Sequence, residues 1–348
     1  MYMASLTETA YYARKGIITS ALVLFSAIVL YVGTTTFIAY WKKTHPPPPA
    51  PPNVYFGLLP KVEFPKEIIP ENLTIKMETK TGSLPQASSS ARVYFMPKTS
   101  PTFFGPEKAR NQAKLMGFTS QPLILSKDLY QWIDTALPLR KLTMNVINFN
   151  LFLNYNVSGD INLLKQENIP DKSQAQELSQ SILSQYDLIP PDLKYPPQVT
   201  YLTWNKGNFL PTESLTEANF VKIFYARANT SEGPFVYPDN LALIKMILSA
   251  SSDQSKKVIL LEYNYNLIDY DIYATYPLKS IQQAFNELEQ KKAYFNNFQS
   301  QNATVRDIYL AYYEQLADQT FVQPVFVFTG DDDFKAYVPA ISSDWVKN

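Results

Sequence analysis

The sequence contains no cysteine and a single histidine. The absence of cysteine excludes disulfides, thiolate nucleophiles and cysteine-based zinc sites. That histidine, His45, lies in a run of prolines. The rest of the chain therefore has no histidine for a Ser-His-Asp triad, a Cys-His dyad or a multi-histidine zinc site. No Walker, GxGxxG, GxSxG or HExxH motif occurs. The sequence therefore predicts no catalytic, cofactor-binding or metal-binding residue, and a protein that is not an enzyme.

The chain also lacks an excess of charge of either sign. Lys and Arg number 31, Asp and Glu number 31, and the formal net charge of the 348 residues is zero. No long basic run occurs, and aromatic residues do not alternate with arginine. We therefore expect no nucleic-acid partner. Glycine is scarce and proline abundant, at 10 and 26 residues, which predicts many fixed turns.

The longest stretch without charge lies near the N-terminus, from Gly16 to Trp41. Its core of about 25 residues, at about 1.5 Å per residue, is long enough to cross a hydrocarbon layer of about 30 Å. Arg14 and Lys15 bound it on one side, and Tyr40 and Trp41 lie at the other edge. Aromatic and basic residues favour the membrane–water interface. The sequence therefore predicts one transmembrane helix with membrane lipid as its partner.

Two other interpretations of this stretch are less favoured. A buried core helix is seldom apolar on all sides at this length. A cleaved signal peptide has an apolar region of about 7–15 residues followed by small residues, whereas this run is longer and ends in YWKK. The flanking charges are two against two, so the positive-inside rule does not decide the orientation. The short N-terminal tail, with the resemblance described below, leads us to expect the large C-terminal part outside the cytoplasm.

A proline run, His45–Pro52, follows the apolar stretch. Consecutive prolines favour polyproline II, which has no internal hydrogen bonds, so we interpret HPPPPAPP as a stiff stalk. A proline-motif ligand is the alternative, but no clear basic residue flanks a PxxP on its downstream side.

Beyond the stalk, the pattern predicts helices and strands in two related modules. Pro106 suits the start of a helix and Gly117 its end, in PEKARNQAKLMGF. Ser280 suits the cap of another, SIQQAFNELEQ. Strand-like runs surround them, including LTIKMET, ARVYFM and a hairpin with a turn near Asn148. We predict an α+β fold with helices packed on antiparallel sheets. The predicted boundaries are 1–16 for the tail, 17–41 for the transmembrane helix, 42–90 for the Pro-rich stalk and linker, 91–165 for the first module and 166–348 for the second.

Two groups of carboxylates are candidate sites. The run Asp331–Asp333 offers oxygens to calcium, but it lacks the ligand spacing of an EF-hand, and a solvated hairpin turn is the preferred interpretation. Asp269 and Asp271 flank Tyr270 in a strand-like run and would share one face. A glycosidase needs two carboxylates about 5–10 Å apart, and a polar strand edge explains this pair better.

Tyrosines are dense between Tyr263 and Tyr276. Their mixed spacing predicts that some face the core and some face solvent. The exposed ones are a candidate contact patch, with sheet packing as the simpler explanation.

The C-terminal runs IYLAYYEQ, FVQPVFVFTG and FKAYVPAI resemble the end of the YycH/YycI family. The shared pattern is a strand ending in aromatic residues, a proline within the next strand and a closing Tyr-Val-x-Ala. The helix-plus-strand modules also resemble PepSY-like domains. The first resemblance implies a single-pass protein that regulates a cell-envelope histidine kinase, and the second a small extracytoplasmic regulatory module.

Our leading hypothesis is a single-pass, extracytoplasmic binding or regulatory protein whose partner is another envelope protein. One alternative is a structural component of a cell-surface assembly. A hydrolase that uses carboxylates alone is the other.

Overall fold

The computed structural model describes residues 6–44, 51–66, 72–79, 82, 84–85, 88–165, 168–238, 241–298, 302–315 and 319–347. The chain divides into two units, Met1–Pro51 and Pro52–Asn348. Most of the predicted proline stalk lies outside the described residues.

The helices and strands are bounded as follows. The helices are α1 (Leu6–Thr44), α2 (Gly105–Leu115), α3 (Lys172–Gln185), α4 (Gln254–Lys257) and α5 (Ile281–Glu289). The strands are β1 (Thr74–Met77), β2 (Ser90–Phe95), β3 (Leu123–Ile124), β4 (Leu129–Ile133), β5 (Arg140–Asn145), β6 (Leu151–Tyr155), β7 (Gln198–Asn205), β8 (Asn208–Thr212), β9 (Phe220–Tyr225), β10 (Phe235–Val236), β11 (Ile244–Ser249), β12 (Val258–Tyr263), β13 (Asp269–Pro277), β14 (Tyr294–Asn297), β15 (Asn302–Tyr313), β16 (Phe321–Gly330) and β17 (Lys335–Pro339).

The first unit contains the long helix α1. Its segment Arg14–Ile38 is 25 residues long and apolar, and none of its described side chains is buried. Hydroxyl groups within it donate to backbone carbonyls one turn earlier, such as Ser26 to Leu22 at 2.8 Å. These bonds satisfy polar groups inside the helix, as a lipid environment requires. The predicted helix is confirmed, and it is long and apolar enough to span a membrane.

The described strands of the second unit form two sheets. The nine-stranded sheet has the order β3-β4-β5-β6-β12-β11-β9-β7-β8, and every neighbouring pair is antiparallel. The eight-stranded sheet has the path β1-β15-β16-β17-β14, with β10 on β15 and with β2 between β13 and β16. Together with the helices, the two sheets confirm the predicted α+β fold class.

The eight-stranded sheet departs from the prediction of antiparallel pairing in two places. Both β1 and β10 pair with β15 in parallel. Each of them is separated from β15 by a long stretch of chain. A connection of a dozen residues or more permits parallel pairing, whereas a short hairpin imposes the antiparallel arrangement.

The strand pairing groups the chain differently from the two predicted modules. Strand β6, before the predicted boundary at residue 165, pairs with β12 after it. Part of the region 42–90, predicted as stalk and linker, is built into the domain. Asn53 exchanges hydrogen bonds with Thr275 at 2.9 and 3.0 Å, and β1 pairs with β15. Hydrophobic faces of strands distant in sequence bury one another here, and local periodicity carries no information on that partnership.

The helices cover the sheets as their local sequence predicts. Helix α3 has a capping box between Asp171 and Gln174, and α5 has one between Ser280 and Gln283. Gly117, which follows α2, has a φ of +86°, a conformation that glycine adopts without strain. Helices α2 and α3 pack on the nine-stranded sheet, and α5 packs on β17.

The C-terminal hairpin matches its prediction. Strands β16 and β17 pair antiparallel around Gly330 and the aspartate run. Phe334, Ala336 and Val338 share one core with α5, whereas Tyr337 faces a different cluster.

Candidate binding groove

A groove of about 730 Å³ lies between the two sheets of the second unit. Its walls come from β7, β8, β9 and β11 on one side, and from β10, β14 and β17 on the other. We call this the basic groove because of its lining. The basic side chains that line it are Lys194, Lys222, Arg227, Lys245 and Lys335.

Strand alternation places lysines in this groove. In β9, Val221 and Ile223 are buried in the core beneath α3. Lys222 and Phe224, between and after them, point to the opposite face and line the groove. Lys245 of β11 lies directly across from Phe224 in the antiparallel pairing. A strand whose alternate residues are core-forming thus presents a cation on its other face.

The charges lining the basic groove are all positive. Among the described lining residues there is no carboxylate. Lys245 pairs with Glu262 at 2.5 Å. Burial lowers the pKa of the Lys222 ammonium, and the charge of Lys245 lowers that pKa further. A half-buried cation beside a second cation is costly, so the arrangement favours an anionic ligand.

Aromatic rings supply the apolar part of the lining. Phe224 and Tyr237 meet edge to face with ring centroids 6.2 Å apart. Phe209, Phe235 and Tyr337 line other parts of the groove. Phe209 and Phe224 are the half-buried rings of this set. Rigid aromatic side chains lose little conformational entropy when a ligand covers them, which suits a contact surface.

A buried ion cluster forms part of the floor of the groove. Arg227 is fully buried. Its Nε and Nη2 donate to the two carboxylate oxygens of Glu314, each at 2.8 Å. Its Nη1 donates to Asp192 Oδ2 at 2.5 Å, and Nη2 also donates to the backbone carbonyl of Asn266. The guanidinium is therefore held on several sides.

The cluster connects the two sheets. Arg227 follows β9 of the nine-stranded sheet, and Glu314 follows β15 of the eight-stranded sheet. Burial alone would lower the pKa of Arg227, but the hydrogen bonds and charge of Glu314, with the charge of Asp192, raise it overall. Burial raises the pKa of the Glu314 carboxyl, against the hydrogen bonds from Arg227. The bidentate geometry fixes the two strand ends relative to each other.

Tyrosines complete the cluster. The Tyr270 hydroxyl donates to Asp192 Oδ2 at 2.7 Å, and the backbone N–H of Arg227 donates to the Tyr237 hydroxyl at 3.1 Å. The Tyr265 ring lies 4.7 Å from the Arg227 guanidinium carbon. Burial, followed by the charge of Glu314, raises the pKa of Tyr237, so this tyrosine remains neutral and hydrogen-bonds as a phenol.

Asn296 contributes an unpaired acceptor to the basic groove. It lies in β14 between Phe295 and Asn297, where the pairing with β17 shifts register. Its Oδ1 atom is buried and has no hydrogen-bond partner. A buried acceptor without a donor costs free energy, so a ligand donor that reached this atom would be stabilised there.

The aspartate run predicted as a possible calcium site forms a turn. Asp331 accepts from Arg306 at 2.7 Å, and the hydrogen bond from Arg306 lowers the pKa of that carboxyl. Asp332 and Asp333 have positive φ angles of 53° and 57° and are exposed. Among the described residues, no group of three potential ligands could hold a metal ion.

The pair Asp269 and Asp271 lies at an irregular part of β13. The Asp269 carboxylate accepts from the backbone N–H groups of Asp271 and Ile272, at 3.0 and 3.2 Å. The register shifts between Asp269 and Tyr273. Asp269 therefore caps a local turn.

The predicted mixture of buried and exposed tyrosines is confirmed. Tyr263 and Tyr276 are buried, Tyr265 is half-buried, and Tyr270 and Tyr273 are 36% and 40% exposed. Tyr270 is engaged with Asp192, and Tyr273 lies under the guanidinium of Arg92 at 4.7 Å. These two rings belong to polar networks as well as to the surface.

Sequence reasoning missed Arg227, Glu314, Lys222 and Asn296. A signal exists for the first two, because each is a lone charge at the end of an apolar strand, in FYARAN and LAYYEQ. Charged residues in such positions are buried only when paired. No local signal marks Asn296, whose role depends on the bulge in β14.

No family model matches this chain, and no curated protein matches it. Two solved structures show a distant likeness. An uncharacterized protein from Eubacterium rectale ATCC 33656 has 12% identity and a TM-score of 0.40, covering 75% of this chain and 84% of its own. The Bacillus megaterium YpeB C-terminal domain has 12% identity and a TM-score of 0.34, covering 70% of this chain and 95% of its own. Neither likeness carries an argument about function, and the YycH/YycI resemblance stays a prediction.

Proposed function

We propose that this chain is a single-pass, membrane-anchored protein that binds and regulates another envelope protein through the basic groove. The observation that carries the proposal is the lining of that groove. It combines lysines without a lining carboxylate, rigid aromatic rings and an unpaired acceptor. Such a surface suits recognition of a complementary partner.

Helix α1 supports the anchor. None of the described side chains in its 25-residue apolar segment is buried. An exposed apolar surface of this size needs lipid or another protein to cover it, and a helix satisfies its own backbone polar groups as lipid requires. The proposal places the second unit outside the cytoplasm.

The lining also supports binding over catalysis. Hydrolysis by carboxylates needs an acid and a base on opposite sides of the scissile bond. The described residues of the basic groove supply no carboxylate and no histidine. The buried carboxylates of the ion cluster are engaged with Arg227.

The absence of cysteine gives a direct test of topology. Single-cysteine variants Ser5→Cys and Ser100→Cys place one thiol in the N-terminal tail and one on the exposed surface of the second unit. In intact cells, a membrane-impermeant maleimide should label Ser100→Cys and should label Ser5→Cys only after permeabilisation. The reverse pattern would place the large unit in the cytoplasm and contradict the proposal.

Partner binding is tested by purification of the full chain from crosslinked membranes. The groove variant Lys222→Glu/Lys335→Glu reverses two charges of the lining. The control Lys141→Glu changes an exposed lysine outside the groove. This lysine lies on β5 of the nine-stranded sheet, which also carries Lys222. An envelope protein should co-purify with wild type and control and be lost from the groove variant. Recovery of only this chain, as self-association, would favour the surface-assembly alternative, and a partner unaffected by both variants would refute the groove.

A further inference from the structure

We infer that the occupant of the basic groove is an extended acidic peptide segment of the partner. This inference rests on the proposed function and specifies the chemistry of the ligand. Three features of the groove carry it: the charge at Lys222, the acceptor at Asn296 and the proline-rich walls.

The first feature selects an anion. Lys222 is half-buried and has no carboxylate within ion-pair distance among the described residues. Lys335 and Lys194 add positive charge to the same groove. A ligand carboxylate placed beside Lys222 would gain a charge-assisted hydrogen bond and would relieve the repulsion from Lys245.

The second feature selects a donor in the same ligand. The buried Oδ1 of Asn296 accepts from no group of the protein. A backbone N–H of a peptide that reached this atom would satisfy it. A fully ionised phosphate chain has acceptors but no donors, so it would satisfy Lys222 and leave Asn296 unpaired. The combination of cation and orphan acceptor therefore favours a peptide that carries Asp or Glu.

The third feature concerns the walls. Five prolines line the groove: Pro196, Pro197, Pro211, Pro234 and Pro238. Proline restricts the backbone and removes its N–H donor. The walls are thus rigid, and at these five positions they offer a passing chain no backbone N–H. A rigid groove lowers the entropic cost of binding, and its aromatic rings provide apolar contact for side chains between the acidic ones.

The test is a random peptide library displayed on phage and selected on the full chain held in detergent. Enriched peptides should carry an excess of Asp and Glu. Synthetic copies should bind Lys222→Gln about tenfold more weakly or worse, since a hydrogen bond to a charge is lost. They should bind Asn296→Leu about three- to tenfold more weakly, since a neutral hydrogen bond is lost. The control Lys141→Gln should bind like wild type, and thermal melts check that each variant is folded.

The outcomes separate this inference from the proposed function. The inference would be overturned if the enriched peptides carried no acidic residues, or if acidic peptides bound Lys222→Gln as tightly as wild type. Long-chain inorganic polyphosphate is the comparison probe. A further outcome is that polyphosphate binding is weakened by Lys222→Gln and unchanged by Asn296→Leu, with no peptide enriched. In that case the peptide inference fails while the groove remains a binding site. If neither probe binds and the co-purified partner is unaffected by Lys222→Glu/Lys335→Glu, the proposed function fails as well.

Discussion

Removal of Arg227 should destabilise the second unit strongly. Glu314 is fully buried and receives two hydrogen bonds of 2.8 Å from this guanidinium. The substitution Arg227→Met keeps much of the side-chain volume but leaves the Glu314 carboxylate without a counter-charge. Breaking a buried ion pair in this way costs about 3–5 kcal/mol. We expect a loss of that size in the free energy of unfolding.

The destabilisation should depend on pH. In Arg227→Met, burial of Glu314 and the charge of Asp192 both raise the pKa of the Glu314 carboxyl, and the opposing hydrogen bonds are gone. The folded variant then holds a proton more tightly than the unfolded chain. The stability linked to that proton is fully present below the unfolded pKa of about 4.3. It is lost as pH rises through the folded pKa. The deficit relative to wild type should therefore grow between mildly acidic and mildly alkaline pH.

Denaturant unfolding of the full chain in detergent, followed by tryptophan fluorescence, measures these effects. The double variant Arg227→Met/Glu314→Leu should recover much of the loss, because apolar replacement of both partners removes the uncompensated charge. Arg306→Met is the control, since Arg306 pairs with Asp331 on an exposed surface and exposed pairs contribute little to stability. A loss below about 1 kcal/mol for Arg227→Met, at every pH, would refute the reasoning.

Four further predictions concern single elements. Lys222→Met should raise the melting temperature, since it removes a half-buried cation, while lowering partner recovery in the co-purification assay. Val29→Arg should cost about 2.5–3.5 kcal/mol of membrane insertion and move the chain out of the carbonate-resistant membrane fraction. Ser280→Ala should destabilise the second unit by about 1 kcal/mol through loss of the α5 cap, measured by denaturant unfolding. Truncation before Asp331 removes β17, which lies between β16 and β14. The truncated protein should aggregate. A cooperative melt like that of wild type would show that β17 is dispensable.

The elements that the sequence predicted well are those defined by neighbours in the chain. Helix α2 has Pro106 in its first turn and is followed by Gly117, α5 begins at a capping box between Ser280 and Gln283, and the β16–β17 hairpin turns at Gly330. Each signal lies within a few residues. The sheets were less predictable, because β1 and β10 reach β15 from distant parts of the chain, and no local pattern encodes such a partnership.

The basic groove was beyond prediction from sequence for a related reason. Lys222 stands out within the apolar run NFVKIFY, where alternation alone predicts that it faces away from the core. The other wall comes from β14 and β17 of the second sheet. Lys222 and Asn296 line the same groove only because the two sheets pack together.

The joining of the two ends of the second unit has a consequence for biosynthesis. Thr74 pairs with Asn302, and the Leu59 N–H donates to the Trp345 carbonyl at 2.8 Å. Contacts of such high sequence separation slow folding, because a long loop must close before they form. A chain made from its N-terminus presents Leu59 and Thr74 long before their partners exist. The eight-stranded sheet is therefore completed only after β17 has been synthesised, and β1 has no partner strand in the nascent chain until β15 has been made.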